Sequence, residues 1–167
     1  MFAIKNPIKG GRLIRQFFKM KHYSTVLGIE TSCDDTAVAI VRSSDRKIIA
    51  ESKYNQWSIH KKQGKASSKS NLTTTAFRGG VIPNLARKLH HENLIHAVSE
   101  CIEQSKGGWK SIDALALTVK PGLEPCLREG IQFTKLLLNK YGLPFVPIHH
   151  MEAHALMPRA AVIRCGN

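Results

Sequence analysis

A succession of short apolar runs, set very close together, narrows the folds open to this chain more than anything else in it. Val26-Leu27-Gly28-Ile29, Ala37 to Val41 and Ile48 to Tyr54 are separated only by Thr31 to Asp35 and Ser43-Ser44-Asp45-Arg46. Such Ser-, Thr- and Asp-rich segments hydrogen-bond to nearby backbone and make tight turns. Three strands joined this way predict an antiparallel meander. Downstream the period changes. Pro83 stands where a helix tolerates a missing N–H, and Leu85, Leu89, Ile95, Val98 and Ile102 predict its apolar face. Gly107-Gly108 ends it. Ile112 to Val119 reads as a buried parallel strand. Pro121-Gly122 turns the chain into a second helix, Leu127 to Lys140, with Gly142 as its C-cap. Phe145 to Ile148 is a fifth strand. His150 opens a third helix, which Pro158 is expected to stop early.

The order is therefore β-β-β-α-β-α-β-(α), a mixed α/β sheet. That order is the signature of one lobe of the actin-like ATPase fold, in which nucleotide sits between two similar lobes. The chain supplies one lobe, and the second is expected to be missing. The 167 residues suffice for a single core.

Charge is unevenly spread. The net charge is +13, and the first 24 residues hold Lys5, Lys9, Arg12, Arg15, Lys19 and Lys21 with no acid, so 13 − 6 leaves +7 elsewhere. Interleaved with Phe2, Ile4, Ile8, Leu13, Ile14, Phe17 and Phe18, residues 1–24 read as a mitochondrial presequence. The other reading is a basic arm that touches RNA or membrane. No apolar run is long enough to span a bilayer, so no membrane partner is expected. Residues 56–77 carry Lys61, Lys62, Lys65 and Lys69 among serines and threonines, and read as an exposed, mobile Lys/Ser-rich insertion. The four cysteines contain no C-x-x-C pair, which argues against a zinc ribbon or a disulfide framework.

Three segments could carry chemistry. His150-Met-Glu-Ala-His154 places two imidazoles four residues apart on a helix, about 40° apart in azimuth, so both can face one ion. The pattern alone describes many surface pairs. Its place after a strand, at the carboxyl end of a parallel sheet, favours a metal site. His91-Glu92-Asn93-Leu94-Ile95-His96 is a decoy, since positions five apart lie about 140° around a helix. With His90, these histidines read as ordinary exposed residues. In Glu30-Thr31-Ser32-Cys33-Asp34-Asp35-Thr36, Ser32 and Asp34 are candidates to meet phosphate or to position a metal or water, against a plain Asx turn. Gly122 is a candidate for close ligand approach, beside a helix N-terminus. No catalytic residue is assigned.

Taken together, Gly28-Ile-Glu-Thr-Ser-Cys-Asp-Asp-Thr36, Gly79-Gly-Val-Ile-Pro83, Thr118-Val-Lys-Pro-Gly-Leu123 and Pro147-Ile-His-His-Met-Glu-Ala-His154 resemble, in order and spacing, the tRNA threonylcarbamoyl-adenosine synthases. The resemblance covers about residues 25–156, and the Lys before Pro-Gly and the doubled His look like the mitochondrial branch. It implies a transferase that moves a threonylcarbamoyl group from L-threonylcarbamoyl adenylate to an adenosine beside the tRNA anticodon, in the mitochondrial matrix. It implies one divalent metal ion, iron or zinc, on His150 and His154, with a third ligand, an Asp, from the second lobe. It leaves residues 157–167 as a divergent tail, and Cys126 where relatives carry a small Ser.

The resemblance therefore implies a truncated transferase, inactive alone. One alternative is a non-catalytic single lobe that pairs with a full-length partner, with tRNA, or as a homodimer. Another is a different ATPase of the same fold, such as a sugar kinase, which has no need of H-x-x-x-H.

Overall fold

The computed structural model describes residues 23–67 and 80–161. Nearly all of the expected presequence, and the insertion from residue 68 on, lie outside these residues. The meander forms as expected: β1 (Thr25–Glu30), β2 (Asp35–Arg42) and β3 (Lys47–Asn55) pair antiparallel, with Ile29 opposite Val38 and Val38 opposite Ser52. β4 (Ala114–Lys120) runs parallel to β1, placing Leu27 beside Leu115, and β5 (Phe145–His149) runs parallel to β4. The sheet order is β3-β2-β1-β4-β5. Parallel neighbours need crossover connections. The helices α2 (Pro83–Gln104) and α3 (Glu124–Tyr141) supply them.

Strand periodicity decides which face these helices cover. Leu27, Ile29, Val38, Ile40, Leu115 and Leu117 are buried in one core with Leu94, Ala97, Val98 and Cys101 of α2. α3 packs on β4 and α2. Gly142 takes the left-handed conformation (φ 64°), and its N–H donates to the Leu138 carbonyl at 2.8 Å, the expected C-cap. Pro147 sits in β5, an edge strand, where proline is tolerated.

Four expectations need correction. The insertion begins as a helix, α1 (Trp57–Ser67), not as a loop. Gln56 and His60 are buried at its start, and these two anchors offset a polar composition that by itself suggested an uncollapsed segment. The apolar face assigned to α2 is rotated. Its buried residues are Ala86, His90, Leu94, Ala97, Val98 and Cys101, while Ile95 is 58% exposed. His90, read as an exposed helix residue, is fully buried. Pro158 does not stop the last helix but lies inside α4 (His150–Ala161). Proline removes one hydrogen bond yet its fixed φ is helical, so the chain can continue beyond it. Residues Met157 to Ala161 of the expected tail are therefore helical, and 162–167 lie outside the described residues.

Candidate metal and substrate cleft

Among the described residues, the helices α2 and α3 leave the other face of the sheet open, and α4 borders it. The result is a cleft of about 990 Å³ over β1 and β2, reached by Ser32, Cys33, Asp34, His150 and His154. Its floor is small: Gly28, Ala37, Ala39 and Ala116 line it. This follows from register, because Gly28 is opposite Ala39 on one side and Ala116 on the other.

The sequence-separated motifs meet here. An ideal Cβ on Gly122 would lie 2.6 Å from the Ser32 carbonyl oxygen and 3.0 Å from Ser32 Cα. The Leu123 N–H donates to that carbonyl at 2.7 Å. The close approach expected of Gly122 is thus made by the chain's own Ser32 turn, at a φ outside the left-handed region. Gly130 does the same from within α3, where an added Cβ would lie 2.4 Å from Thr31 Oγ1. These two glycines let α3 and its leading turn sit directly on the β1–β2 turn.

Ser32 then touches the histidine motif. Its Oγ lies 3.1 Å from His150 Nδ1, and Glu30 Oε2 is 3.5 Å from the same nitrogen. Burial alone would raise the Glu30 carboxyl. Hydrogen bonds from Ser32 and Thr118 outweigh it and hold the group below its ordinary value. Glu30 is therefore ionised and only accepts, so it favours the His150 tautomer with its proton on Nδ1 and a lone pair on Nε2. His150 Nε2 and His154 Nε2 are 3.0 Å apart, and the rings are nearly perpendicular, at 78°. Two nitrogens each about 2.1 Å from one ion are about 3.0–3.4 Å apart at octahedral or tetrahedral angles. The pair fits two positions on one ion. Among the described residues no group of three or more His, Cys, Asp and Glu could hold a metal.

Asp34 lines the cleft, but its backbone is engaged behind it, with the carbonyl accepting from the Gln56 N–H at 3.1 Å. Cys33 is exposed, and burial together with the neighbouring Asp34 charge pushes its thiol above the ordinary value, against a nucleophilic role. Burial pushes the Cys126 thiol up to about 11. His91 belongs to another arrangement. It and Arg87 hold the buried carboxylate of Glu129, at 3.1 Å and 3.0 Å, and so tie α2 to α3.

No local sequence pattern assigns a role to Glu30, Gln56, His60 or His90. Glu30 lies inside a motif already singled out. Gln56 and His60 are four residues apart at the start of α1, a spacing visible in sequence only once the segment is known to be helical.

The family model for tRNA N6-adenosine threonylcarbamoyltransferase matches residues 65–164. That match runs past Leu156, where the motif resemblance ends. The protein named mitochondrial tRNA N6-adenosine threonylcarbamoyltransferase from Rattus norvegicus is 40% identical over 138 residues, which is 83% of this chain and 30% of the relative. Its namesake in Xenopus tropicalis is 42% identical over 140 residues, 84% of this chain and 31% of the relative. The chain thus spans less than a third of the length of these relatives. Among solved structures, YeaZ from Pseudomonas aeruginosa superposes with a TM-score of 0.50 at 17% identity, over 75% of this chain and 43% of that one, a likeness of fold alone. With the motifs, the mixed five-stranded sheet and these matches in agreement, the chain belongs to the tRNA N6-adenosine threonylcarbamoyltransferase family.

Proposed function

We propose that this chain provides the metal-binding, donor-facing lobe of a mitochondrial tRNA N6-adenosine threonylcarbamoyltransferase. The observation that carries the reading is the convergence of the Ser32 turn and the His150–His154 pair at one cleft, 3.1 Å from Ser32 to His150, with the Gly122 turn packed on the Ser32 backbone. The Ser32–Asp34 turn faces the phosphate of L-threonylcarbamoyl adenylate. His150 and His154 hold one divalent ion, iron or zinc, and a further ligand comes from a second lobe. When bound, the ion supplies Lewis-acid polarisation of a donor oxygen. Glu30 and Ser32 orient His150 so that Nε2 is free for the ion. The acceptor is an adenosine beside the tRNA anticodon, and the site of action is the mitochondrial matrix, in line with the names of the relatives in rat and frog and with the basic leader.

Two imidazoles fall short of the three protein ligands usual for a catalytic ion. Among the described residues no third ligand joins the pair, so residues 1–167 without a second lobe are expected to be inactive in transfer. The test incubates the purified chain with threonylcarbamoyl adenylate and unmodified mitochondrial tRNA, then digests the tRNA and analyses its nucleosides. No modified adenosine is expected. Product from the chain alone would overturn the two-lobe reading. Binding of tRNA or of a longer family member without product would assign the chain a non-catalytic role, as would self-association.

A further inference from the structure

Behind the Ser32–Asp34 turn lies a buried polar cluster with no place in the metal site. His90, Thr36, Gln56 and His60 are each no more than 1% exposed. His90 Nε2 is 2.9 Å from the Cys33 carbonyl, which only accepts, so Nε2 carries the proton. His90 Nδ1 then accepts, from Thr36 Oγ1 at 2.7 Å and from Gln56 Nε2 at 3.4 Å. Gln56 Oε1 accepts from His60 Nε2 at 3.3 Å, and His60 Nδ1 accepts from the Ile82 N–H at 3.2 Å. Each link of this relay pairs a donor with an acceptor, and both histidines are fixed in one neutral tautomer.

The consequence is on the cleft side. Three successive carbonyls of the turn are tied from behind: Ser32 by the Leu123 N–H, Cys33 by His90 and Asp34 by the Gln56 N–H. A trans peptide holds its C=O and N–H antiparallel. Anchoring the Ser32 and Cys33 carbonyls inward turns the N–H groups of Cys33 and Asp34 outward, where these residues line the cleft. Consecutive amides aimed one way form an anion-binding concavity.

We propose that His90 is a positioning residue, which sets the angle at which the Cys33 and Asp34 N–H groups meet the phosphate of a bound adenylate. The proposal rests on the reading of the cleft as the donor site. His90 touches no ligand. It acts through the Cys33 carbonyl, and Thr36 and Gln56 act through His90.

The test uses the 167-residue chain with adenosine monophosphate as the probe. Amide nitrogen resonances of Cys33 and Asp34 are followed through a titration, and amide exchange is measured there and in β1 and β4. His90→Gln keeps a donor near Nε2, and His90→Phe removes it. The wild type and His90→Gln should shift at Cys33 and Asp34, with affinities within about threefold. His90→Phe should keep slow exchange in β1 and β4, bind the nucleotide at least about tenfold more weakly, and exchange faster at Cys33 and Asp34. If His90→Phe does not fold, Thr36→Val serves instead. It should shift the His90 Nδ1 resonance in imidazole nitrogen spectra, because that nitrogen loses its Thr36 donor, and weaken binding about threefold. Folded His90→Phe or Thr36→Val with wild-type affinity and exchange would overturn the proposal. If the nucleotide shifts no amide even in the wild type, while exchange at Cys33 and Asp34 still depends on residue 90, the donor-site reading fails and the anchoring of the turn stands.

Discussion

Gly122→Ala is the most informative single change, because Gly122 is where two motifs separated by 90 residues touch. A Cβ there would stand 2.6 Å from the Ser32 carbonyl oxygen, 2.8 Å from its Cβ and 3.0 Å from its Cα. Two of these atoms are backbone, so no rotamer change relieves the overlap. Forcing a methyl into a packed site costs about 1–3 kcal/mol. Separating the two turns also stretches the bond from the Leu123 N–H to the Ser32 carbonyl, 2.7 Å long. Losing it adds about 0.5–1.5 kcal/mol. The sum is about 1.5–4.5 kcal/mol, or roughly 3–18 °C in Tm for a domain of this size. Gly28→Ala is the internal control. Its Cβ would find only the Ala39 carbonyl oxygen, at 3.8 Å, an ordinary contact. Removing chain entropy at a compatible position gains about 0.4–1 kcal/mol. Urea unfolding of both variants, with the Ser32 amide resonance as a local reporter, separates them. Gly122→Ala within about 0.5 kcal/mol of wild type and an unmoved Ser32 amide would refute the contact and, with it, the convergence of the motifs.

Metal titration should give one weakly bound divalent ion per chain, lost in His150→Ala and in His154→Ala but kept in His96→Ala. Equal stoichiometry in all four proteins would leave the histidine pair a surface feature. Stability should fall as pH drops below about 6.5. Burial lowers the pKa of both His60 and His90 from the ordinary 6.5, so the unfolded chain takes up protons first. The contribution is fully present above the unfolded value and fades as pH falls toward the folded ones. The lowered Glu30 and Glu100 act only below their ordinary 4.5. Urea midpoints at about pH 7.5 and 5.5 read this window, and equal midpoints would contradict it. Glu129→Ala should destabilise by about 1–3 kcal/mol, toward the low end because Arg87 and His91 are largely in solvent. An unchanged unfolding midpoint would show that the α2–α3 tie contributes nothing.

The strands, their meander, the Gly142 cap and the pairing of His150 with His154 were all legible in the amino-acid order. Each of these is local, since a period of two, a tight turn, a left-handed glycine and an i, i+4 spacing are written within a few residues. The remaining features arise only when distant segments meet. His90 is polar and is followed by the exposed His91 and Glu92, so no local pattern marks it as buried. Its partners Thr36, Gln56 and Cys33 lie 54, 34 and 57 residues away. Gly122 looked like a residue that admits a ligand, and what it admits is the Ser32 backbone. Residues 56–77 looked like an exposed insertion because their composition is polar, yet the segment begins as a helix whose start carries the buried Gln56 and His60. Burying a polar side chain becomes favourable only when a specific partner arrives to bond it, and the chain brings those partners together only on folding.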